Sequence, residues 1–125
     1  MDLHEYFESK TGIGVLSTAD SQGRVDSAIY ARPHVMDDNL LAFIMTDRLT
    51  YKNVQSNPHA VYLFKEIGPG WKGKRLFLTK VREEHDTELI QTLRRRKYSP
   101  EEDGRMKPLH LVFFQLDHER PLVGN

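Results

Sequence analysis

The chain has no cysteine among its 125 residues, which removes disulfides, thiolate metal sites, iron–sulfur clusters and thiol nucleophiles together. That absence suits a reducing compartment. Net charge is also missing: 18 basic and 18 acidic residues cancel, so no overall field favours DNA, RNA or an anionic membrane. Long apolar runs are lacking too. A stretch such as 40–45 is far shorter than the roughly 20 residues needed to span a bilayer. Met1-Asp2-Leu3-His4-Glu5 is acidic where a secretory signal needs a basic segment and then an apolar run. The expectation is a soluble, cytoplasmic protein with no nucleic-acid or membrane partner. The six histidines form neither a helical pair nor a compact ligand cluster, so no metal site is expected. Ser17, Ser21 and Ser27 lack the glycine flanks of a hydrolase nucleophile.

What is present is globular composition, 38% hydrophobic and 29% charged, at a length that supports one core. A single domain over 1–125 is expected. Asp2 is placed to cap a short helix carrying Leu3, Tyr6 and Phe7, stopped by Gly12 and Gly14. Strands are expected at 13–18 and 24–36 around the turn Asp20-Ser21-Gln22-Gly23, and at 40–46 after the turn Asp37-Asp38-Asn39. Thr46 or Asp47 then caps a short helix that ends at Asn57-Pro58. Strands four to six are expected at 60–66, 74–82 and 109–116, with a surface helix over 83–96 capped by Asp86 and a polar loop over 97–108. Arg94-Arg95-Arg96 complements that helix's dipole. Six short strands with brief helical covers and no strand-helix-strand alternation point to a mainly β, antiparallel, six-stranded barrel, closed or split.

Gly68-Pro69-Gly70-Trp71-Lys72-Gly73-Lys74 has the spacing of a dinucleotide fingerprint and most of a Walker A pattern. Both motifs work through a following helix N-terminus, whereas Leu76-Phe77-Leu78-Thr79 continues as strand. The segment reads as a hairpin loop. Lys72, Lys74, Arg75 and the cations at 94–97 could flank Trp71 as a local nucleic-acid patch. A solvated basic rim explains the same residues.

Four segments in order carry a resemblance: Gly14-Val15-Leu16-Ser17-Thr18-Ala19-Asp20, Asp26-Ser27-Ala28-Ile29-Tyr30-Ala31-Arg32-Pro33, Phe43-Ile44-Met45-Thr46-Asp47-Arg48-Leu49-Thr50-Tyr51-Lys52-Asn53, and Asn57-Pro58-His59-Ala60. Together they resemble the pyridoxamine 5'-phosphate oxidase-like family of split barrels that bind flavin mononucleotide (FMN). The resemblance implies that the flavin phosphate sits where the third strand meets a short helix, with Thr46, Thr50 and Lys52 at the hydroxyl, hydroxyl and lysine positions. Elementary electrostatics agrees, since unpaired amides at a helix N-terminus attract an anion. Met45 and Tyr51 fall within the same implied contact set. The second strand implies the other half, with Ser27, Ala28, Ile29 and Tyr30 along the ring system and Arg32 near its pyrimidine edge. Arg75 is the nearest match for a contact from the neighbouring subunit, which implies a homodimer with cofactor at its interface. Thr50 and Lys52 starting an exposed helix, and Arg32 pairing with Asp26 or a glutamate, are the plain structural alternatives.

The sequence departs from the true oxidases of the family. Tyr51 stands where an arginine usually precedes the phosphate lysine, and Asp117-His118-Glu119-Arg120 lacks their arginine-x-histidine substrate motif. Vitamin B6 oxidation is therefore not expected. The resemblance implies an FMN-dependent oxidoreductase acting on an unidentified small molecule or electron donor. A non-enzymatic FMN carrier or electron-transfer module is the first alternative. A binder of haem, deazaflavin or another planar ligand is the second. Strands 61–64 and 111–114 are apolar on both faces, covered outside by a partner or by the chain's own helices.

Overall fold

The computed structural model describes residues 1–37, 39–85, 87–94 and 108–125. Asp38, the expected cap Asp86, Arg95, Arg96 and the loop 97–107 lie outside the described residues. The elements run α1 Leu3–Ser9, β1 Gly12–Ala19, β2 Val25–Ile29, β3 His34–Asp37, β4 Leu40–Met45, α2 Leu49–Ser56, β5 His59–Glu66, β6 Gly73–Glu84, α3 Thr87–Leu93 and β7 His110–Pro121. All strand pairs are antiparallel. They form one sheet in the order β2-β1-β5-β6-β7-β4-β3.

This corrects the expected six strands to seven; of the two expected forms, closed or split, the sheet takes the open one. The extended segment 24–36 is two strands, and they lie on opposite edges of the sheet. Pro33 lacks an N–H for a ladder and restricts Arg32 before it, so pairing stops at Ile29 and resumes at His34. Residues 30–33 bridge the two edges. At most roughly 3.6 Å per residue is available, so Ile29 and His34 lie within about 18 Å of each other and the sheet must roll up. The edges approach without pairing, which makes the barrel split.

Two further boundaries differ. The expected helix over 83–96 begins later, because Arg82, Glu83 and Glu84 continue β6 opposite Phe113, Val112 and Leu111. The last strand runs on past residue 116 and places Pro121 opposite Lys74. In each case the pairing partner, remote in sequence, extends the strand.

Inward residues alternate along the strands as a pleated sheet requires. Leu16, Phe43, Tyr62, Phe64, Leu76, Leu78, Val112 and Phe114 fill the interior. Helix α1 plugs one end with Tyr6 and Phe7, whose rings meet Phe64 and Tyr62 edge-on. Asp2 caps α1 as expected, accepting from the Glu5 amide at 2.8 Å. Helix α3 covers the outside of β4 and β7, where Ile90 packs on Ala42, Leu111 and Phe113. The outer apolar face of β7 is thus covered by the chain itself. On the outer face of β1, β2 and β5, none of the described residues covers Ile13, Val25, Ile29 and Leu63, which are exposed.

Candidate functional site

The junction of β4 and α2 positions five of the eleven residues singled out in the sequence: Met45, Thr46, Thr50, Tyr51 and Lys52. Met45 is fully buried at the end of β4, Thr46 is half-buried and Thr50 is buried. Arg48 is the N-cap residue of α2, and its side chain makes no capping hydrogen bond. The expected capping by Thr46 or Asp47 is therefore corrected. The Thr46 carbonyl accepts from the Arg48 amide at 2.8 Å, and the Asp47 carboxylate is engaged elsewhere. The first helical bond runs from the Lys52 amide to the Arg48 carbonyl. The amides of Leu49, Thr50 and Tyr51 precede it, the donors that a helix N-terminus leaves to side chains, water or a ligand.

Two cations flank this turn. Arg48 and Lys52 are exposed, and neither side chain forms an ion pair or hydrogen bond with another described residue. Strand β2 reaches the same place from the other side. Val25, Ser27 and Ile29 point outward, while Asp26 and Ala28 turn inward. Burial pushes the Tyr30 phenol up, against a hydrogen bond from Thr50 and the nearby charge of Arg48. The structure thus brings Tyr30 to Thr50 and Arg48. The Ser17 and Ser27 hydroxyls meet at 2.9 Å on the outer face.

Arg32 and Arg75 lie elsewhere. Arg32 follows the end of β2, so strand alternation does not extend to it. Its Nη1 donates to the Phe7 and Lys10 carbonyls at 2.7 Å each, tying down the C-terminal end of α1. Arg75 donates to the Pro121 and Gly124 carbonyls and holds the C-terminal tail. The sequence alternatives for Arg32 named Asp26 or a glutamate, and the main-chain acceptors of α1 were not foreseen.

A second polar cluster adjoins the turn and was missed in the sequence. His110, at the start of β7, is paired with Met45 in the sheet. Its Nε2 donates to Asp47 Oδ1 at 2.5 Å, and its Nδ1 lies 2.8 Å from His85 Nδ1. An ionised carboxylate only accepts. In neutral His110 the proton therefore sits on Nε2, and His85 donates to Nδ1. Tyr51 stacks on the His110 ring and donates its hydroxyl to Glu83 at 2.9 Å. Burial and that bond push the Tyr51 phenol up to about 12. Burial acts to raise Glu83, but hydrogen bonds from Tyr51 and Gln55 and the Lys80 charge hold it below the usual glutamate range. Residues drawn from positions 47 to 110 meet here, and no local spacing signals them. Among the described residues, no group of three or more His, Asp or Glu is placed to hold a metal ion.

The outer sheet face carries an open groove of about 400 Å³, lined by Ser17, Val25, His59, Val61, Phe77 and His118 among others. His118 stacks on Phe77 with ring centroids 4.4 Å apart. Among the described residues, no helix is long and apolar enough to cross a membrane.

No family model matches the chain, and no curated protein matches it. Solved structures do. An FMN-binding protein from Syntrophomonas wolfei subsp. wolfei is 17% identical with a TM-score of 0.74, over 98% of this chain and 84% of that one. A Lactobacillus delbrueckii protein provisionally named a pyridoxamine 5'-phosphate oxidase is 12% identical with a TM-score of 0.69, over 96% and 92% of the two chains. The haem-storage protein HutZ from Vibrio cholerae is 18% identical with a TM-score of 0.66, over 97% and 95%. The chain has the split-barrel fold of the FMN-binding, pyridoxamine 5'-phosphate oxidase-like proteins, built here as seven strands in one open sheet.

Proposed function

We propose that the chain binds FMN, with the phosphate on the first turn of α2 and the ring system along β2, between two copies of the chain. The observation that carries this reading is a helix N-terminus whose N-cap side chain makes no capping bond, flanked by two cations, Arg48 and Lys52, without ion-pair partners among the described residues. A dianionic phosphate fits that donor set. The amides of Leu49 and Thr50 would donate to it, Thr46 supplies a hydroxyl, and Lys52 and Arg48 balance the charge; the Thr50 hydroxyl could join only by releasing Tyr30. The dipole contributes about 0.3 to 1 kcal/mol at an exposed terminus, so the charge-assisted bonds must contribute more. Ser27, Ala28, Ile29 and Tyr30 would set the ring's edge and orientation. The FMN-binding structural neighbour supports the choice of ligand.

A second copy would cover the exposed Ile13, Val25, Ile29 and Leu63 and close the cofactor against water. Arg75 could contribute to the partner's site only by leaving the tail carbonyls it now holds. When bound, FMN supplies hydride or single-electron transfer. The chain's own residues bind and orient it. The working assignment is an oxidoreductase acting on a small molecule in the reducing cytoplasm. Absorbance and mass spectrometry of the purified protein test the ligand. Stopped-flow reduction by reduced nicotinamides tests turnover: rapid reduction supports an enzyme, and slow reduction with every donor supports a carrier.

Haem is the second reading. The outer groove sets the imidazoles of His59 and His118 beside apolar Val61 and Phe77, and HutZ is a haem-storage protein of the same fold. A Soret band in place of flavin absorbance would favour it.

A further inference from the structure

We propose that His110 is a positioning residue that holds the Asp47 carboxylate away from the first-turn amides of α2, and so keeps that turn open to a phosphate. The inference rests on the phosphate reading of the preceding section and adds the device that maintains it.

Asp47 immediately precedes the N-cap Arg48, and the first turn of α2 contains no acidic residue. One more residue of helix would make Asp47 the N-cap, with its carboxylate accepting from the Leu49 or Thr50 amide. Other aspartates of this chain do take such amides. Asp2 accepts from the Glu5 amide at the start of α1. Asp20 accepts from the amides of Gln22 and Arg24. Asp47 instead accepts from His110 Nε2.

The two partners differ in freedom. The Asp47 side chain is 53% exposed and the His110 side chain only 9%. His110 is fixed by the sheet opposite Met45, by the Tyr51 ring stacked on it and by His85 at its other nitrogen. The donor is held on three sides, and the exposed carboxylate meets it there. A bound carboxylate at the helix start would compete with phosphate for the same N–H groups and repel its charge. Without the His110 bond, the chain's own aspartate becomes the competing anion.

Dissociation constants for FMN and for riboflavin, which lacks the phosphate, test this on four proteins: wild type, His110→Phe, Asp47→Asn and the double variant. His110→Phe keeps an aromatic ring against Tyr51. It should weaken FMN at least fivefold and leave riboflavin unchanged. Asp47→Asn should bind FMN as well as wild type or better. The double variant should match Asp47→Asn within twofold, because the competing carboxylate is gone. Equal loss of FMN and riboflavin in His110→Phe, or the same FMN loss with Asn at position 47, overturns the proposal. Wild type that does not prefer FMN over riboflavin would instead overturn the phosphate reading itself. Hydrogen exchange in the wild-type chain needs no variant. The Leu49 amide should exchange freely without ligand and slow on adding FMN; protection in the free protein would mean that the carboxylate already occupies the turn, and would overturn the proposal.

Discussion

Tyr51 lies flat on His110, with ring centroids 3.9 Å apart and planes 8° from parallel. The contact joins the first turn of α2 to the start of β7 and sets the helix end against the sheet. Tyr51 occupies the place where the resemblance leads one to expect a phosphate-binding arginine. Its hydroxyl is spent on Glu83, so the residue anchors the turn, and Arg48 and Lys52 are left as its cations.

The Tyr51 hydroxyl bond should give the fold an alkaline signature. With its pKa raised from 10.0 to about 12, Tyr51 favours the folded state fully below the unfolded value. That contribution is lost as pH rises through the folded value. In urea unfolding, wild type should lose stability relative to Tyr51→Phe between pH 10 and 12. Parallel pH profiles for the two proteins would contradict the assigned hydrogen bond.

Arg32→Ala should destabilise the fold by about 1.5 to 3 kcal/mol, the range for a hydrogen bond to a charged group. The two α1 carbonyls would lose their donor, and α1 would fray from β3. Chemical denaturation measures the loss. Unchanged stability would show that α1 is held by Tyr6 and Phe7 alone.

Gly14→Ala should be among the more damaging small substitutions. A Cβ at this position would meet the Tyr62 hydroxyl at 1.8 Å and the Tyr30 carbonyl at 2.8 Å. Tyr62 donates to that carbonyl at 3.0 Å and pins the crossover between β2 and β3. Overpacking of this kind costs typically 1 to 3 kcal/mol, and the melting temperature should fall by several degrees.

The strand and helix count came close from local pattern, because turns such as Asp20 to Gly23 and caps such as Asp2 act within a few residues. The division of 24–36 into two edge strands was not legible. Pro33 marked a break, but nothing local says that the chain there crosses from one sheet edge to the other. The candidate phosphate turn was found through Thr46, Thr50 and Lys52, which lie close together in sequence. Its missing cap was not, since Asp47 is drawn off by His110, 63 residues away. The main-chain partners of Arg32 were hidden for the same reason. They come from α1, 22 and 25 residues earlier in the chain.

Lys52→Ala should weaken FMN by about 1.5 to 3 kcal/mol, roughly 10- to 150-fold, if its ammonium meets the phosphate. Riboflavin affinity should not change. Equal FMN affinity at matched salt would remove Lys52 from the site.

The most direct test of the FMN assignment is a fluorescence titration of ligand-free protein with FMN. Binding should saturate at micromolar concentrations or below, one flavin per chain, with riboflavin bound at least about tenfold more weakly for want of a charge-assisted phosphate contact. Protein that is colourless as purified and leaves micromolar FMN unbound would contradict the assignment.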